Sequence, residues 1–116
     1  MNIKNLSVVI PLFNEAHRTE YTFKILKDFI KKNKINLEII FVDDGSGDQS
    51  ANKIKSFFLQ IKNKKKIKYQ LISYKKNKGK GYALIKGINQ SSFKWILTCD
   101  FDMSVMPTTV LDWFKK

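Results

Sequence analysis

The sequence predicts an α/β protein: a mostly parallel sheet in a three-layer α/β/α sandwich. Two observations carry this. Strand-like and helix-like stretches alternate as β-α-β-α-β-α-β, with a helix between each pair of strands, which argues for right-handed crossovers and helices on both faces. The first strand is a continuous apolar run, as expected of a strand covered on both sides.

Residues 6–12, LSVVIPL, are that first strand. From Thr19 to Lys32, Phe23, Leu26, Phe29 and Ile30 recur at helical spacing, and Asn33 and Asn36 end the helix. Residues 37–42, LEIIFV, form the second strand, and Asp43-Asp44-Gly45-Ser46-Gly47-Asp48 is dense in turn formers. Ala51, Ile54, Phe57, Phe58 and Ile61 stripe a second helix. KNKKKIK (62–68) reads as an exposed loop into a third strand near 67–73, weakly defined because polar residues interrupt it. NKGKG (77–81) leads into a third helix from Tyr82 to Gln90. Trp95–Thr98 is the fourth strand, and 108–115 begins another helix.

The chain has 116 residues, enough for one compact domain and one core. Its formal charge is +12, from 22 Lys+Arg against 10 Asp+Glu, and Arg18 is the only arginine. Phosphate readers favour the arginine fork, so the excess reads mainly as a solvated lysine surface and secondarily as an attraction for phosphates or an anionic membrane face. Cys99 is the only cysteine, which excludes an internal disulfide and favours a reducing, cytoplasmic setting. No apolar run reaches the ~18 residues that span a bilayer. LSVVIPLF lacks a small-residue cleavage site and is a strand rather than a signal peptide.

In open parallel sheets, ligands sit outside the carboxyl ends of the strands. Asn14 and Glu15 follow the first strand, Asp43 and Asp44 the second, Lys78 and Lys80 the third, and Asp100 and Asp102 the fourth. Parallel pairing gathers these four polar clusters on one rim. Asp100 and Asp102 form a D-x-D, which suits either a turn with two solvated acids or, on this shared rim, one carboxylate for Mg2+ or Mn2+ and another for a ribose or sugar hydroxyl. Asp43 and Asp44 suit either turn chemistry or acceptance from a base N–H or ribose hydroxyl, and Asp48 suits a helix cap. Lys78-Gly79-Lys80-Gly81 is similar to a phosphate-facing loop opening a helix, although the P-loop spacing is absent. Glu15 suits either a first-turn acid or a ligand role. His17 has no nucleophile arranged with it and reads as an ordinary first-turn residue.

SVVIPLFNE (7–15), FVDDGSGD (41–48), NKGKGYALIKGI (77–88) and WILTCDFDMS (95–104) together resemble, in order, the motifs of inverting family-2 glycosyltransferases of the GT-A fold. The third and fourth look most like the branch that loads sugars onto polyprenyl or dolichyl phosphate. The resemblance implies a UDP- or GDP-sugar donor, a lipid-phosphate acceptor, Mn2+ or Mg2+ as cofactor, and a role in cell-envelope or glycan biosynthesis. It also implies peripheral membrane association, at the cytoplasmic face, and no nucleic-acid partner. Pro11, Phe13 and Glu15 would line the base and ribose, and Val42 with Asp43 or Asp44 would hold the base or ribose edge. Asp102 would ligate the metal, with Asp100 nearer the ribose or donor sugar. Phe101 and Ser104 would border the diphosphate and sugar, and Lys80 would lie near the donor. Phe101 stands where relatives carry a small residue, which predicts a narrowed donor pocket or a shifted loop. Residues 1–116 would be one nucleotide-sugar-binding domain cut short at its C-terminal end, with the acceptor half and any catalytic base beyond Lys116. Such a chain alone is expected to bind a nucleoside diphosphate weakly and transfer sugar slowly or not at all.

Two other classes fit less well. A phospho-acceptor receiver domain needs its acidic pair after the first strand, where this chain has Pro-Leu-Phe-Asn-Glu. A nucleic-acid-binding module would rest on the +12 charge alone, without a reading helix or interleaved aromatic residues.

Overall fold

The structure, a computed structural model, describes residues 3–62, 64 and 66–115. Four strands, β1 (Asn5–Leu12), β2 (Asn36–Asp44), β3 (Ile67–Tyr74) and β4 (Trp95–Thr98), form one sheet in the order β3-β2-β1-β4. All its pairings are parallel. α1 (Thr19–Lys32), α2 (Ser50–Ile61) and α3 (Lys80–Gln90) are the crossovers, and α4 (Pro107–Lys115) follows β4. The chain steps outward from β1 to β3, then returns to lay β4 on the far side of β1. The strand order therefore reverses between β1 and β4, and in open α/β sheets that switch point is where a crevice opens.

The two sheet faces are covered unequally. Even-numbered residues of β1 (Leu6, Val8, Ile10, Leu12) and odd-numbered residues of β2 (Leu37, Ile39, Phe41) meet Leu26 and Phe29 of α1 and Ile54, Phe57 and Ile61 of α2. Phe23 stacks on Phe57 with ring centroids 4.3 Å apart. Fully burying each such side chain contributes roughly 1.5–3 kcal/mol, so this face holds most of the core. On the other face α3 packs close over Val9, Ile40 and Val42 through Ala83 and Gly87. A Cβ on Gly87 would lie 2.3 Å from Val9 Cγ1, so the absence of a side chain there sets the approach of α3 to the sheet.

Glu38 of β2 is buried at the opposite end of the sheet from the rim. Its Oε1 accepts from Ser7 Oγ at 2.7 Å and from the Ser92 N–H at 2.7 Å, and its Oε2 accepts from Ser92 Oγ at 2.8 Å. Burial pushes its pKa up, but these hydrogen bonds and the Lys68 charge outweigh burial and leave it below the usual range. The carboxylate thus ties the α3–β4 connection to β1 and β2.

Three sequence expectations shift. β2 continues through Asp43 and Asp44, whose backbones are buried strand, although the Asp43 side chain still serves the turn that follows. β3 is a full strand paired with β2 from Ile67 to Tyr74; its interrupting polar residues are tolerated because it is an edge. α3 begins at Lys80, two residues before Tyr82. In the lysine-rich stretch Lys62, Lys64 and Lys66 are exposed, whereas Asn63 and Lys65 lie outside the described residues. Among the described residues, no helix is long and apolar enough to cross a membrane.

Candidate functional site

A cavity of about 360 Å3 opens at the carboxyl ends of β1 and β4, under the N-terminus of α3. This is the switch point of the sheet, and the volume lies in the range of small-molecule sites. Pro11, Phe13, Glu15 and Arg18 come from β1 and the turn after it. Asp44, Asn77, Gly79 and Lys80 come from β2 and the β3–α3 loop, and Asp100 and Asp102 follow β4.

Strand alternation explains why the two acids share a wall. Trp95, Leu97, Cys99, Phe101 and Met103 all belong to the core under α1 and α2. The intervening Ile96, Thr98, Asp100, Asp102 and Ser104 are exposed. The period-two pattern of β4 therefore continues past its last paired residue, assisted by the Cys99 N–H donating to Val9 O at 2.9 Å. Phe101 is 4% exposed and packs near Phe23 and Phe41, with centroids 6.3 and 6.1 Å away. Its carbonyl accepts from Thr22 Oγ1 at 2.5 Å. It lines the cavity from the side of the core and at the same time anchors the segment to the aromatic cluster. Met103, buried and left-handed at φ 58°, closes the turn by donating its N–H to Asp100 O. Burial holds the Cys99 thiol protonated, and the neighbouring Asp100 charge adds to the effect, with the pKa pushed up to about 12.

The same alternation separates Asp43 from Asp44. Asp43 Oδ1 accepts from the Ser46 N–H at 3.0 Å, which is turn chemistry. Asp44 accepts four hydrogen bonds from the chain around the β3–α3 loop. Oδ1 takes Tyr74 Oη at 2.7 Å and the Lys78 N–H at 2.8 Å; Oδ2 takes Asn77 Nδ2 at 2.7 Å and the Gly79 N–H at 2.8 Å. Burial raises its pKa, but the Lys78, Tyr74 and Gly79 bonds prevail and hold it below the ordinary value. Conversely, burial and the neighbouring Asp44 carboxylate raise that of Tyr74. With four partners Asp44 has filled its acceptor capacity, and it shapes the loop from which Lys80 departs.

Other bonds tie the remaining loops together. The Asn14 N–H donates to Ser46 Oγ, Asn14 Oδ1 accepts from the Gly47 N–H, and the Glu15 N–H donates to Ser50 Oγ. Asp48 Oδ2 accepts from the Ala16 N–H, while its Oδ1 accepts from Ser50 N and Oγ. Asp48 therefore serves the start of α2 from one position before the N-cap, Gln49, and also links two loops. Gly45 has φ +78°, and a Cβ there would meet Asn77 N at 2.6 Å, so the β2–α2 turn lies directly against the β3–α3 loop.

Lys80, the first residue of α3, points its Nζ at Asp100 Oδ1, 2.5 Å away. Lys78 does not enter the cavity: its backbone N–H is held by Asp44, and its Nζ lies 4.9 Å over the Tyr82 ring. Asp102 Oδ1 accepts from the Ser104 N–H at 3.0 Å. Among the described residues, Oδ2 of each acid has no hydrogen-bond partner. No group of three or more His, Cys, Asp or Glu converges among those residues. Two carboxylates with free oxygens on one exposed wall nevertheless fit a hard divalent cation, which takes one or two protein carboxylates and completes its shell with water and phosphate.

Eight of the sequence-predicted positions thus meet at one cavity: Pro11, Phe13, Glu15, Asp44, Lys80, Asp100, Phe101 and Asp102. Three do not line it. Val42 is in the core under α3, Asp43 faces the β2–α2 turn, and Ser104 is exposed beyond Asp102. His17 is exposed in a short 3-10 turn, Ala16–Arg18. Arg18, Asn77 and Gly79 were not among the predicted ligands. Arg18 lines the cavity with its Nε 3.1 Å from Glu15 Oε2; its being the sole arginine among 22 cationic residues sets it apart in the sequence without placing it at the cavity.

Residues 7–116 match the model of a family described as glycosyl transferase family 2. A dolichyl-phosphate beta-glucosyltransferase of Dictyostelium discoideum is 36% identical over 102 residues, covering 84% of this chain and 30% of that protein. The human protein of the same name is 35% identical over 104 residues, covering 85% of this chain and 31% of its own length. This chain thus spans about a third of those relatives. Among solved structures, the mannosyltransferase PcManGT of Pyrobaculum calidifontis, in complex with GDP-Man and Mn2+, superposes with a TM-score of 0.72 at 19% identity. That match covers 88% of this chain and 28% of PcManGT. S. aureus TarS in complex with UDP-GlcNAc superposes with a TM-score of 0.71 at 23% identity, covering 96% of this chain and 30% of the other. These two likenesses establish the shared α/β fold.

Proposed function

The chain belongs to glycosyl transferase family 2, and from that premise we propose that it is the donor-binding portion of an inverting transferase. The donor is a UDP- or GDP-sugar and the acceptor a polyprenyl-type lipid phosphate, met at the cytoplasmic face of a membrane. Residues 1–116 act as one nucleotide-sugar-binding domain, and the acceptor half belongs to a longer protein. The observation that carries this reading is the cavity at the β1/β4 switch point, with a cation and two carboxylates on one wall. The names of the two dolichyl-phosphate glucosyltransferases support the lipid-phosphate acceptor. The complexes of the two structural neighbours support the nucleotide-sugar donor and the divalent metal.

In this reading Pro11 and Phe13 flank the nucleoside, Glu15 takes a ribose or base hydrogen, and Asp43 and Asp44 shape the loops beneath it. Asp102 holds Mn2+ or Mg2+ with Asp100 beside it, turned toward the ribose or sugar, and Lys80 faces the diphosphate. The bound cation supplies charge stabilisation to the departing diphosphate. An acceptor phosphate oxygen forms a bond to the anomeric carbon on the face opposite the diphosphate. The carbon–oxygen bond to the diphosphate breaks with its electron pair, and the configuration inverts. Preorganised charge on the wall of the cavity favours that separation over the ground state.

The test is a thermal-shift titration with UDP, GDP and their sugars, with and without Mn2+. Stabilisation by a nucleoside diphosphate that needs Mn2+ and disappears in Asp102→Ala is the expected result; saturation at about 100 times Kd adds about 2.7 kcal/mol. No response at millimolar nucleotide, alongside salt-sensitive binding to DNA or RNA, would falsify the reading.

A further inference from the structure

We propose that Lys80 couples cation binding to nucleotide binding by exchanging partners. It holds Asp100 in the unliganded protein and transfers to a donor phosphate when a divalent cation takes the carboxylate. The inference rests on the donor-binding reading above, but it concerns the order and coupling of binding rather than which ligand binds.

The geometry supplies each part. Lys80 Nζ is 2.5 Å from Asp100 Oδ1, and the two side chains are 60% and 50% exposed, so solvent screens the pair and leaves it easy to open. The backbone from which Lys80 departs is fixed, because the adjoining Lys78 and Gly79 N–H groups are bonded to Asp44. Only the four-carbon stem has to move, and a lysine ammonium is a compact point charge suited to changing partners. The carboxylate of Asp102, two residues on, keeps one oxygen free of hydrogen bonds.

The charges then dictate the sign of the coupling. A divalent cation arriving alone meets the ammonium already seated on Asp100. A diphosphate arriving alone meets two carboxylates, one of them unpaired. When both arrive, the ammonium takes a phosphate and the cation takes the carboxylate, so every charge gains a partner of opposite sign. Each ligand therefore raises the affinity for the other, by the same factor in both directions. Without the lysine there is no ion pair for either ligand to break, so the share of the coupling that came from breaking it once rather than twice is lost.

Two measurements test this in the wild type, Lys80→Met and Lys80→Arg. The first follows Mn2+ alone through the electron paramagnetic resonance signal of the free ion. The second titrates UDP and GDP calorimetrically with and without Mn2+. Lys80→Met is expected to bind Mn2+ alone about fivefold more tightly than the wild type. Its enhancement of nucleotide affinity by Mn2+ should fall by about fivefold, the worth of the same ion pair. Lys80→Arg, whose fork still engages Asp100, should keep wild-type Mn2+ affinity, and adding Asp100→Asn to Lys80→Met should abolish the gain. Unchanged Mn2+ affinity in Lys80→Met, or an undiminished enhancement, overturns the exchange while leaving nucleotide binding intact. A wild type that binds neither nucleotide with Mn2+ present overturns the donor-binding reading and the exchange together.

Discussion

Replacing Asp44 with alanine tests how the rim is held together. The substitution removes one carboxylate and strands four donors: the Lys78 and Gly79 N–H groups, Asn77 Nδ2 and Tyr74 Oη. The four hydrogen bonds are only partly buried, so the lower end of the scale for unpaired donors applies. Each backbone N–H costs about 1 kcal/mol, and the two side-chain donors, free to turn to water, about 0.5 kcal/mol each. The sum is about 3 kcal/mol, and at a urea m-value of about 1.5 kcal/mol/M the midpoint drops by about 2 M. Asp43→Ala is the internal control: it is adjacent, equally buried at 4% exposure, but among the described residues its side chain accepts only one bond, from Ser46. It should cost about 1 kcal/mol. Urea unfolding followed by tryptophan fluorescence measures both. The pH dependence sharpens the test. Asp44 is held below its ordinary pKa, so its contribution is complete above about pH 4 and fades as pH falls through the lowered folded value. The gap between wild type and Asp44→Ala should therefore narrow in acid. Equal midpoints for the two alanine variants, or a gap that widens below pH 4, would refute the reasoning.

Two further outcomes follow from packing and burial. Gly87→Ala places a Cβ 2.3 Å from Val9 Cγ1, and Val9 is fully buried and cannot give way. Overpacking of about 1–3 kcal/mol should outweigh the ~1 kcal/mol gained in helix propensity, and Val9→Ala should cancel the loss in a double-mutant cycle; additive effects would argue against the close approach of α3. Glu38→Gln leaves one acceptor oxygen for three donors and should cost about 1–2 kcal/mol at pH 7. Because Glu38 is also held below its usual pKa, its charge-dependent stability is lost as pH falls through that value, so the variant's acid limb should be flatter. An acid limb as steep as that of the wild type in urea titrations at graded pH contradicts this.

The strand and helix order was legible because its signals are local. LSVVIPL and the Phe23–Leu26–Ile30 spacing announce themselves within one turn or one pleat, and β1, α1 and β4 lie where their patterns put them. The misread boundaries share a cause. Asp-Asp-Gly looks like a turn because buried acids are rare, yet Asp44 is satisfied by donors 30 to 35 residues away, which no window on the sequence displays. The start of α3 is hidden for the same reason: its N-cap, Gly79, has no side-chain cap of its own, and the loop before it is ordered by a carboxylate on another strand. Phe101 differs, because its role was legible. The alternation W-L-C-F-M from Trp95 to Met103 marks it as a core residue, although the two acids that flank it mark a site. The Lys80–Asp100 pair and the place of Arg18 at the cavity emerge only from the folded geometry.

The interleaving of core and wall residues from Trp95 to Ser104 also constrains how this segment can change over generations. Substitutions at the exposed positions can alter the chemistry of the wall one side chain at a time without reaching the aromatic core, and substitutions at the buried positions can do the reverse. A single-residue insertion or deletion in the segment has no such freedom. It moves every following residue to the other face, sending the carboxylates toward the phenylalanines and the phenylalanine toward the ligand. Descendants of this sequence can drift here by replacement, but a change of length in the segment must be undone within a few residues or carry both the core and the site away together.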